Sequence, residues 1–504
     1  MAITNGTNLN SVASPQRHTL AGNYVDLSSS GWAQQYLPDL MEKEAEVFGN
    51  RTISGFLAQV GAEEAMASDQ VVWSEQGRLH ISCIGTIVTS TGIVTIVSDI
   101  DGNLLADGYG SSALADEHGF REGDTVIIAG AAGTVKCRVT DTSTTAGAFE
   151  VEAYNSTDTN ALLSDAGIVN AETVTVMVYG SDFGKGTKGY GSHTTATTGG
   201  TKSIDPTFKS FTNKPIILKD LYEVSGSDAS AIGWIEVSGE DGQNGYMWYL
   251  KAAGDQKARF ADYCEMSMIE AVKGVAANST LDTVDLTTTG HILGTPFGTE
   301  GLFAAVEDRG NVTTGVTGVN AATDLAEFDA ILAEFDRQGQ IEENMMFVNR
   351  ATSLAMDDML ASMNSYGAGG TSYGVFNNSE DMALNLGFSG FRRGSYDFYK
   401  SDWKYLNDFA TRGSINARDT VNAVRGIVVP AGVSSVYDQQ LGKNLKRPFL
   451  HVRYRASQTE SRKLKTWVTG SVGAVTSDLD AMQINMLSER CLVTQGANNF
   501  MLMK

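Results

Sequence analysis

Proline and cysteine are scarce in this sequence. It has 7 prolines against 54 glycines in 504 residues, which argues against a proline-rich linker protein and favours long regular elements joined by mobile loops. The four cysteines, Cys83, Cys137, Cys264 and Cys491, are scattered and form no CxxC pair. Neither a disulfide framework nor a zinc site is therefore indicated, and we expect free thiols in a reducing compartment.

Long hydrophobic runs are also missing. Residues 1–17 lack the charged start and apolar core of a secretory signal. The longest uncharged run, residues 81–98, contains seven Ser or Thr residues and two glycines. This composition favours a β-hairpin that turns at Thr91-Gly92 over a membrane span. The sequence thus predicts no membrane segment.

Basic residues are few and unevenly placed. Residues 390–504 carry 17 Lys and Arg against 9 Asp and Glu, a net charge of +8, whereas residues 1–389 carry 20 against 50, a net charge of −30. Such polarity favours complementary contacts between copies of the chain and argues against a surface that binds nucleic acid throughout. Separate acidic and basic domains that never touch are the alternative.

The motifs of common catalytic and metal sites are missing or broken. Residues 180–187 (GSDFGKGT) are one residue short of a phosphate-binding loop, and glycine follows the lysine. The six histidines form no HExxH or HxH pair, and no GxSxG elbow is present. Residues 99–103 (DIDGN) lack the sixth-position glycine and the terminal glutamate of a calcium loop, so a turn is favoured there. We predict no enzymatic activity, no metal and no cofactor.

The most regular pattern spans residues 244–274, which we interpret as one long helix. Asn244 is a plausible N-cap and Gly274 a plausible stop, and some 29 residues would extend about 44 Å. Two shorter helices broken at Gly254 are the alternative. Apolar residues recur every three or four positions, at Tyr246, Tyr249, Leu250, Ala253, Phe260, Cys264, Met268, Ala271 and Val275.

The region before this helix has β character. Residues 71–80 (VVWSEQGRLH), which include Trp73 and Arg78, and residues 208–224 are predicted to be the two arms of an extended hairpin. A block between them has Gly-rich turns and period-two alternation, which predicts a small inserted sandwich or barrel. A separate N-terminal β-domain is the alternative. The alternating apolar residues are Val135, Cys137 and Val139, then Phe149, Val151 and Ala153, then Val174, Val176 and Val178.

An α/β region follows the long helix. Apolar stripes predict one helix through Phe328 and Phe335 that ends before Gly339, and a second through Met356 and Met359. Residues 345–348 (MMFV) and 426–430 (GIVVP) are predicted to be buried strands. Residues 365–374 are predicted to be a mobile loop, as is the glycine-rich stretch 183–202.

Two segments near the C-terminus alternate apolar and basic residues. The basic positions are Arg453 and Arg455 in the first segment, and Lys463 and Lys465 in the second. We predict a long antiparallel hairpin with one apolar face and one largely basic face. The basic face fits contacts with phosphates and pairing with an acidic neighbouring subunit equally well. Residues 482–504 are apolar enough to be tied into the fold or into a neighbour.

This order of parts resembles a tailed-phage major capsid protein of the Hong Kong 97-like fold, an α+β class. The ending SERCLVTQGANNFMLM and the chain length are similar to capsid proteins of crAss-like phages. The resemblance implies an N-terminal arm with short helices (1–68), an extended loop (69–83 and 201–226) and an inserted β-rich domain (84–200). It further implies a peripheral domain with a spine helix (227–281 and 440–475), and an axial domain with a C-terminal segment (282–439 and 476–504).

The resemblance also implies a function. The chain would be a structural, non-enzymatic protein that forms pentamers and hexamers of an icosahedral head in the virion, around non-specifically held double-stranded DNA. Assembly in the host cytoplasm with portal, auxiliary head and scaffolding proteins, and without a membrane, would follow. The candidate assembly residues are Tyr249, Leu250, Phe260 and Met268 on the spine, Trp73 and Arg78 on the loop, and Arg453, Arg455, Lys463 and Lys465 on the basic strands.

Two other classes are open. A tail or baseplate component would also self-assemble, but it should lack the continuous long helix. An acidic hydrolase with a β-rich binding module should instead have a deep pocket with paired acids whose pKa values are pushed apart.

Overall fold

The structure is a computed structural model that describes the chain from residue 55 onward with gaps. The described residues are 55–76, 80–100, 102, 119–145, 147–155, 167–186, 208–227, 237–238, 244–245, 247–274, 298–339, 341–364, 390–418, 421–431, 433–438, 443–472 and 475–504. One compact unit is Ser74–Ser210, and a second contains Phe211–Lys504 together with the chain up to Trp73. The predicted arm over residues 1–30 and the loop over residues 365–374 lie outside the described residues.

The secondary structure is mixed. The helices are α1 Phe56–Val60, α2 Met247–Glu270, α3 Leu302–Arg309, α4 Ala321–Gln338, α5 Arg350–Asn364, α6 Lys404–Asn407 and α7 Arg412–Arg418. The strands are β1 Ala62–Met66, β2 Val71–Gln76, β3 Ser82–Val88, β4 Ile93–Asp99, β5 Asp124–Ala129, β6 Thr134–Thr145, β7 Ala148–Ala153, β8 Glu172–Ser181, β9 Phe208–Asn213, β10 Ile216–Ser225, β11 Val237–Ser238, β12 Asn244–Gly245, β13 Asn311–Thr313, β14 Glu343–Val348, β15 Gly390–Arg393, β16 Tyr396–Asp402, β17 Gly426–Pro430, β18 Val433–Asp438, β19 Lys443–Pro448, β20 Leu450–Arg455, β21 Lys465–Gly470, β22 Ala481–Thr494 and β23 Met501–Met503.

The unit Ser74–Ser210 contains a closed six-stranded antiparallel barrel. Its strands follow one another in the order β3-β4-β7-β6-β5-β8. The alternating residues of β6, β7 and β8 point inward, because Cys137, Val151 and Val176 are fully buried. Phe120 stacks on Phe149 in this core, with ring centroids 4.4 Å apart. The alternating strands are thereby confirmed, and they form a barrel rather than a sandwich.

The predicted hairpin over residues 81–98 is confirmed inside this barrel. Strands β3 and β4 pair antiparallel, with Val88 opposite Ile93. Gly92 has a φ of +72°, a left-handed conformation that glycine adopts without steric cost. The Thr91-Gly92 turn is therefore explained by its glycine.

The predicted extended hairpin is only half correct. Strands β2 and β9 do pair with each other as a two-stranded ribbon. However, β10, which we assigned to the same return arm, pairs antiparallel with β22 along its whole length, from Ile216 opposite Arg490 to Ser225 opposite Ala481. The return arm therefore ends at Asn213, and the buried side chain of Asn213 holds the turn between β9 and β10.

Strand β22 is the centre of a five-stranded sheet with the path β1-β20-β22-β10, and β21 also pairs with β22. The long antiparallel hairpin predicted between the two basic segments is wrong except at the connecting turn, where Ala456 and Ser461 form an antiparallel bridge. Strands β20 and β21 follow one another along the same edge of β22, with Tyr454 opposite Arg490 and Lys465 opposite Leu487. A strand of 14 residues is long enough to serve both, so neither needs the other as its partner.

Helix α2 is continuous over 24 residues, about 36 Å, and passes through Gly254 without a break. The alternative of two helices is therefore wrong, and so are the predicted ends. Asn244 belongs to strand β12, which pairs with β11, and the helix stops four residues before Gly274. Fully buried Phe260 and Cys264 pack against Met486 of β22.

A six-stranded sheet forms the other half of this unit, in the order β13-β23-β17-β14-β16-β15. Its faces alternate as strand geometry requires. Met346 and Val428 point toward helices α4 and α5, where Phe328 and Met356 lie. Their neighbours in the sequence point the other way, into a second core. The strands predicted at 345–348 and 426–430, and both predicted helices, are confirmed.

The second core joins the two sheets. It contains Phe347 and Leu502 from the six-stranded sheet, Val452 and Leu492 from the five-stranded sheet, and Met268 from α2. All five side chains are nearly or fully buried. The two sheets and the long helix are consequently parts of one hydrophobic body.

Buried Phe260 provides a test of how α2 packs. We expect Phe260→Asp to lower the free energy of unfolding by at least about 4 kcal/mol, because truncating a buried Phe alone costs ~3–5 kcal/mol and the carboxylate would also lose its hydration. Tyr263→Asp is the matched control, since Tyr263 lies on the same helix and is 46% exposed. Urea titrations followed by circular dichroism would measure both, and equal stability of the two variants would contradict this packing.

Candidate functional site

The predicted assembly residues fall at three places in the described structure. Phe260 and Met268 are buried on the inner side of α2. Trp73 lies at the base of the β2–β9 ribbon, and the four basic residues lie on and between β20 and β21. Arg78 is outside the described residues, as are the side chains of Tyr249 and Leu250, whose backbone belongs to α2.

The basic residues of β20 are paired with acidic residues of the same chain. Arg453 Nη2 lies 3.0 Å from Glu64 Oε2. Arg455 pairs with Asp69, and its Nη1 is 3.6 Å from Glu489 Oε1. The Arg453 contact arises because β1 runs parallel to β20 with Glu64 directly opposite Arg453.

The second basic segment is paired in the same way. Lys463 contacts Glu63 of β1, and Lys465 Nζ lies 2.6 Å from Glu460 Oε1. Arg462 Nε is 2.5 Å from Oε2 of Glu489, which is only 6% exposed. The predicted basic face therefore already has acidic partners within the subunit, and its contact with phosphates or an acidic neighbour stays a prediction.

The base of the ribbon is a cluster of aromatic and charged side chains. Trp73 is buried with Cys491 and Val493 of strand β22. The guanidinium of Arg309 lies 4.4 Å from the ring centroid of Phe211 and 5.6 Å from that of Trp73, which are cation–π distances. Its Nη2 also pairs with Glu300 Oε2 at 2.7 Å. Burial raises the pKa of Glu300, and the positive charges of Arg309 and Lys273 oppose that shift.

Asn213, at the end of β9, is fully buried, and both polar atoms of its side chain form hydrogen bonds. Its Nδ2 donates to the carbonyls of Glu300 (3.0 Å) and Leu492 (2.6 Å). Its Oδ1 accepts from the N–H groups of Lys214 (2.8 Å) and Glu300 (2.9 Å) and from Thr299 Oγ1 (3.1 Å). Asn213 and Arg309 were not predicted from the sequence, because neither belongs to a periodic pattern or a motif.

Other titratable groups have structural partners too. Burial raises the pKa of Glu265, although its oxygens accept the N–H groups of Gly55 (2.7 Å) and Leu57 (2.9 Å), which oppose that shift. In this way α2 caps the start of α1. Burial raises the pKa of Cys83, Cys137 and Cys491 to about 12, so these thiols stay protonated.

Neither a metal cluster nor a membrane span is found where the chain is described. No group of three His, Cys, Asp or Glu side chains in those residues is arranged to hold a metal ion. No described helix is both long and apolar enough to cross a membrane.

The ion pair of half-buried Arg462 with buried Glu489 tests whether the basic strands are structural. We expect Arg462→Ala to cost about 2–3 kcal/mol of unfolding free energy, because it removes the nearer partner of a buried carboxylate. The control Lys465→Ala breaks a pair that is well exposed on both sides, so its effect should stay within about 0.5 kcal/mol. Chemical denaturation would measure both. Two equally small effects would show that the Glu489 cluster contributes nothing.

Comparison with known proteins finds similarity among solved phage structures. No known protein family and no curated protein sequence matches the chain. The structure of Microbacterium phage Oxtober96 aligns at 8% identity over 93% of this chain and 96% of that one, with a TM-score of 0.37. The capsid structure of Cyanophage P-SCSP1u aligns at 8% identity over 97% and 98%, with a TM-score of 0.38. The mature capsid of bacteriophage PhiM1 aligns at 11% identity over 60% and 74%, with a TM-score of 0.30.

Proposed function

We propose that this chain is the major capsid protein of a tailed phage, with a Hong Kong 97-like fold. In this proposal it assembles into pentamers and hexamers of an icosahedral head that encloses double-stranded DNA. The observation that carries the proposal is the continuous helix α2, which lies along one face of the sheet centred on β22 within a body that also holds a helix-covered second sheet. The sequence resemblance implies such a long spine helix in a peripheral domain, together with a separate axial domain.

The order of parts along the chain supports the same proposal. A ribbon, β2 with β9, precedes the long helix, and a barrel is inserted between its two strands. We propose that the ribbon is the extended loop and the barrel an insertion domain on it. The proposed peripheral sheet includes both β10 and β22. The predicted boundaries had placed β10 in the extended loop (201–226) and β22 with the axial domain (476–504).

The continuous helix disfavours a tail or baseplate component, which was expected to lack one. The acidic hydrolase is disfavoured because the buried carboxyl groups with raised pKa values are bound to other parts of the fold. Among the described residues, burial raises the pKa of Glu265 and Glu300. Glu265 caps α1 through backbone N–H groups, and Glu300 pairs with Arg309. Both carboxyl groups are engaged in holding the fold, whereas a catalytic pair would face a substrate.

The proposal places the chain in the virion, with portal, auxiliary head and scaffolding proteins as its partners. Because the basic strands are neutralised inside the subunit, we do not assign DNA contact to Arg453, Arg455, Lys463 or Lys465. Contact with packaged DNA would be non-specific.

Sedimentation velocity together with negative-stain microscopy of the purified chain tests the proposal. We expect closed shells, or rings of five and six copies of the 53.7-kDa chain. Deleting residues 1–30 should leave a folded subunit by circular dichroism but impair closed shells, because the proposed arm would contact neighbours. A 53.7-kDa monomer at every concentration, with or without a polyethylene glycol crowder, would contradict unaided assembly and strengthen the hydrolase alternative, because the proposed scaffolding and portal partners are absent from that sample.

A further inference from the structure

Strand β10 is the open edge of the five-stranded sheet. It pairs with β22 on one side, and it ends the sheet path on the other side, where no described strand adds to it. It is ten residues long, whereas a mean strand has about 5–6. A long strand at a sheet edge is a template for pairing with another chain unless side chains or loops block it.

The backbone of β10 shows which residues face outward. The N–H of Gly226, just after β10, donates to the carbonyl oxygen of Asp480, just before β22, at 3.0 Å. The N–H of Glu489 in β22 points away from β10 and donates to the carbonyl oxygen of Arg462 at 2.9 Å. Because direction alternates along an antiparallel ladder, the even-numbered residues of β10 bond to β22. The odd-numbered residues Ile217, Lys219, Leu221 and Glu223 therefore direct their N–H and C=O groups toward the open edge.

One of these outward-directed N–H groups, that of Leu221, already has an acceptor within the strand. The N–H of Leu221 donates to Oδ1 of the preceding Asp220, at 2.9 Å. A neighbouring strand would replace that oxygen with a carbonyl group, while the other Asp220 oxygen keeps its hydrogen bond from Gln256 Nε2.

The side chains of the same residues are also exposed. Ile217 is 48% exposed and Leu221 47% exposed, and Lys219 and Glu223 are exposed as well. They share one face of the sheet because they alternate along the strand. The Glu223 carboxylate accepts one hydrogen bond from Gln483 Nε2 at 2.8 Å, and a carboxylate has further acceptor capacity.

We propose that β10 pairs antiparallel with β10 of a second copy, about a two-fold axis at Leu221. In this register Leu221 meets Leu221 of the partner subunit, and each Lys219 lies opposite a Glu223. Centring the axis on Lys219 would oppose two lysines, and centring it on Glu223 would oppose two carboxylates, both of which are unfavourable. The register centred on Leu221 is the one that places Lys219 opposite Glu223 twice, in the self-complementary way that a two-fold interface requires.

The proposal goes beyond the capsid function and does not depend on it. Two five-stranded sheets would become one continuous sheet across the axis. In a shell, such a contact could join subunits only where a two-fold or near two-fold relation exists.

Cysteine crosslinking tests the register. Directly opposed residues in the hydrogen-bonded positions of an antiparallel pair have Cα atoms about 5.5 Å apart, within the range of a disulfide. We expect Leu221→Cys to give a covalent dimer under mild oxidation. Ile217→Cys is the matched control, with equal exposure on the same face, but the two copies of residue 217 would lie about 27 Å apart. The four native cysteines are buried, so background crosslinking should be low.

Charge reversal provides an independent test in solution. Lys219→Glu should weaken dimerisation by about tenfold, because two attractive cross-strand pairs become repulsive. The double variant Lys219→Glu with Glu223→Lys should restore it, since the pairs return with exchanged signs. Sedimentation velocity on the Leu221→Cys background and on the native background would measure both, with circular dichroism to establish folding.

The outcomes separate this inference from the capsid proposal. Crosslinking by Leu221→Cys alone, with rescue by the double variant, supports the β10 interface whether or not shells form. Equal crosslinking of both cysteine variants, crosslinking of neither, or no effect of charge reversal overturns it. Shells that form without Leu221→Cys dimers would uphold the capsid proposal and reject this contact.

Discussion

The pairing of strand β22 is the constraint on which the second unit depends. It bonds to β10 on one edge and to β20 and β21 in succession on the other. After a short 3-10 turn the chain continues as β23, which lies between β13 and β17 in the six-stranded sheet. One segment at the end of the chain thus completes both sheets, and two of its partners, β10 and β13, come from far earlier in the sequence. Such non-local pairing forms late and slowly, because distant segments must meet first.

Charge is organised around the same strand. The chain is acidic in its first 389 residues and basic in the rest, and part of that imbalance is cancelled inside the subunit. Glu63 and Glu64 on β1 neutralise Lys463 and Arg453, and Glu489 on β22 holds Arg462. A small part of the polarity that suggested contacts between copies is therefore used within one copy. For contacts between copies, the sheet offers an exposed edge with alternating apolar and charged side chains.

The sequence predicted elements better than partners. Period-two alternation located the barrel strands, and period-3.6 stripes located α4 and α5, because burial of one face leaves that signature. The same signal cannot name the neighbour of a strand. It therefore predicted that β20 and β21 pair with each other, although both pair with β22. It also placed β10 in the ribbon, although β10 pairs with β22.

The candidate site was predictable to a smaller extent. Phe260 and Met268 were placed on the buried face of the long helix from spacing alone, and the structure buries both. The partners of the basic residues were not predictable, since Glu63 and Glu64 are close to 400 positions away in the segment AEEAM, which has no alternation. The role of Asn213 was not predictable either, because its buried amide bonds to Glu300 and Leu492, which are distant in the sequence.

The central claim of this account is that one body, completed by β22 and β23, forms the subunit that assembles. Amide hydrogen exchange of the dispersed chain, read by mass spectrometry, tests it most directly. The account predicts that β22 belongs to the slowest-exchanging class and that the strands of both sheets lose protection together, because opening β22 disrupts the core they share. Fast exchange in β22 while β14 and β17 remain protected would contradict it, since the two sheets would then be independent.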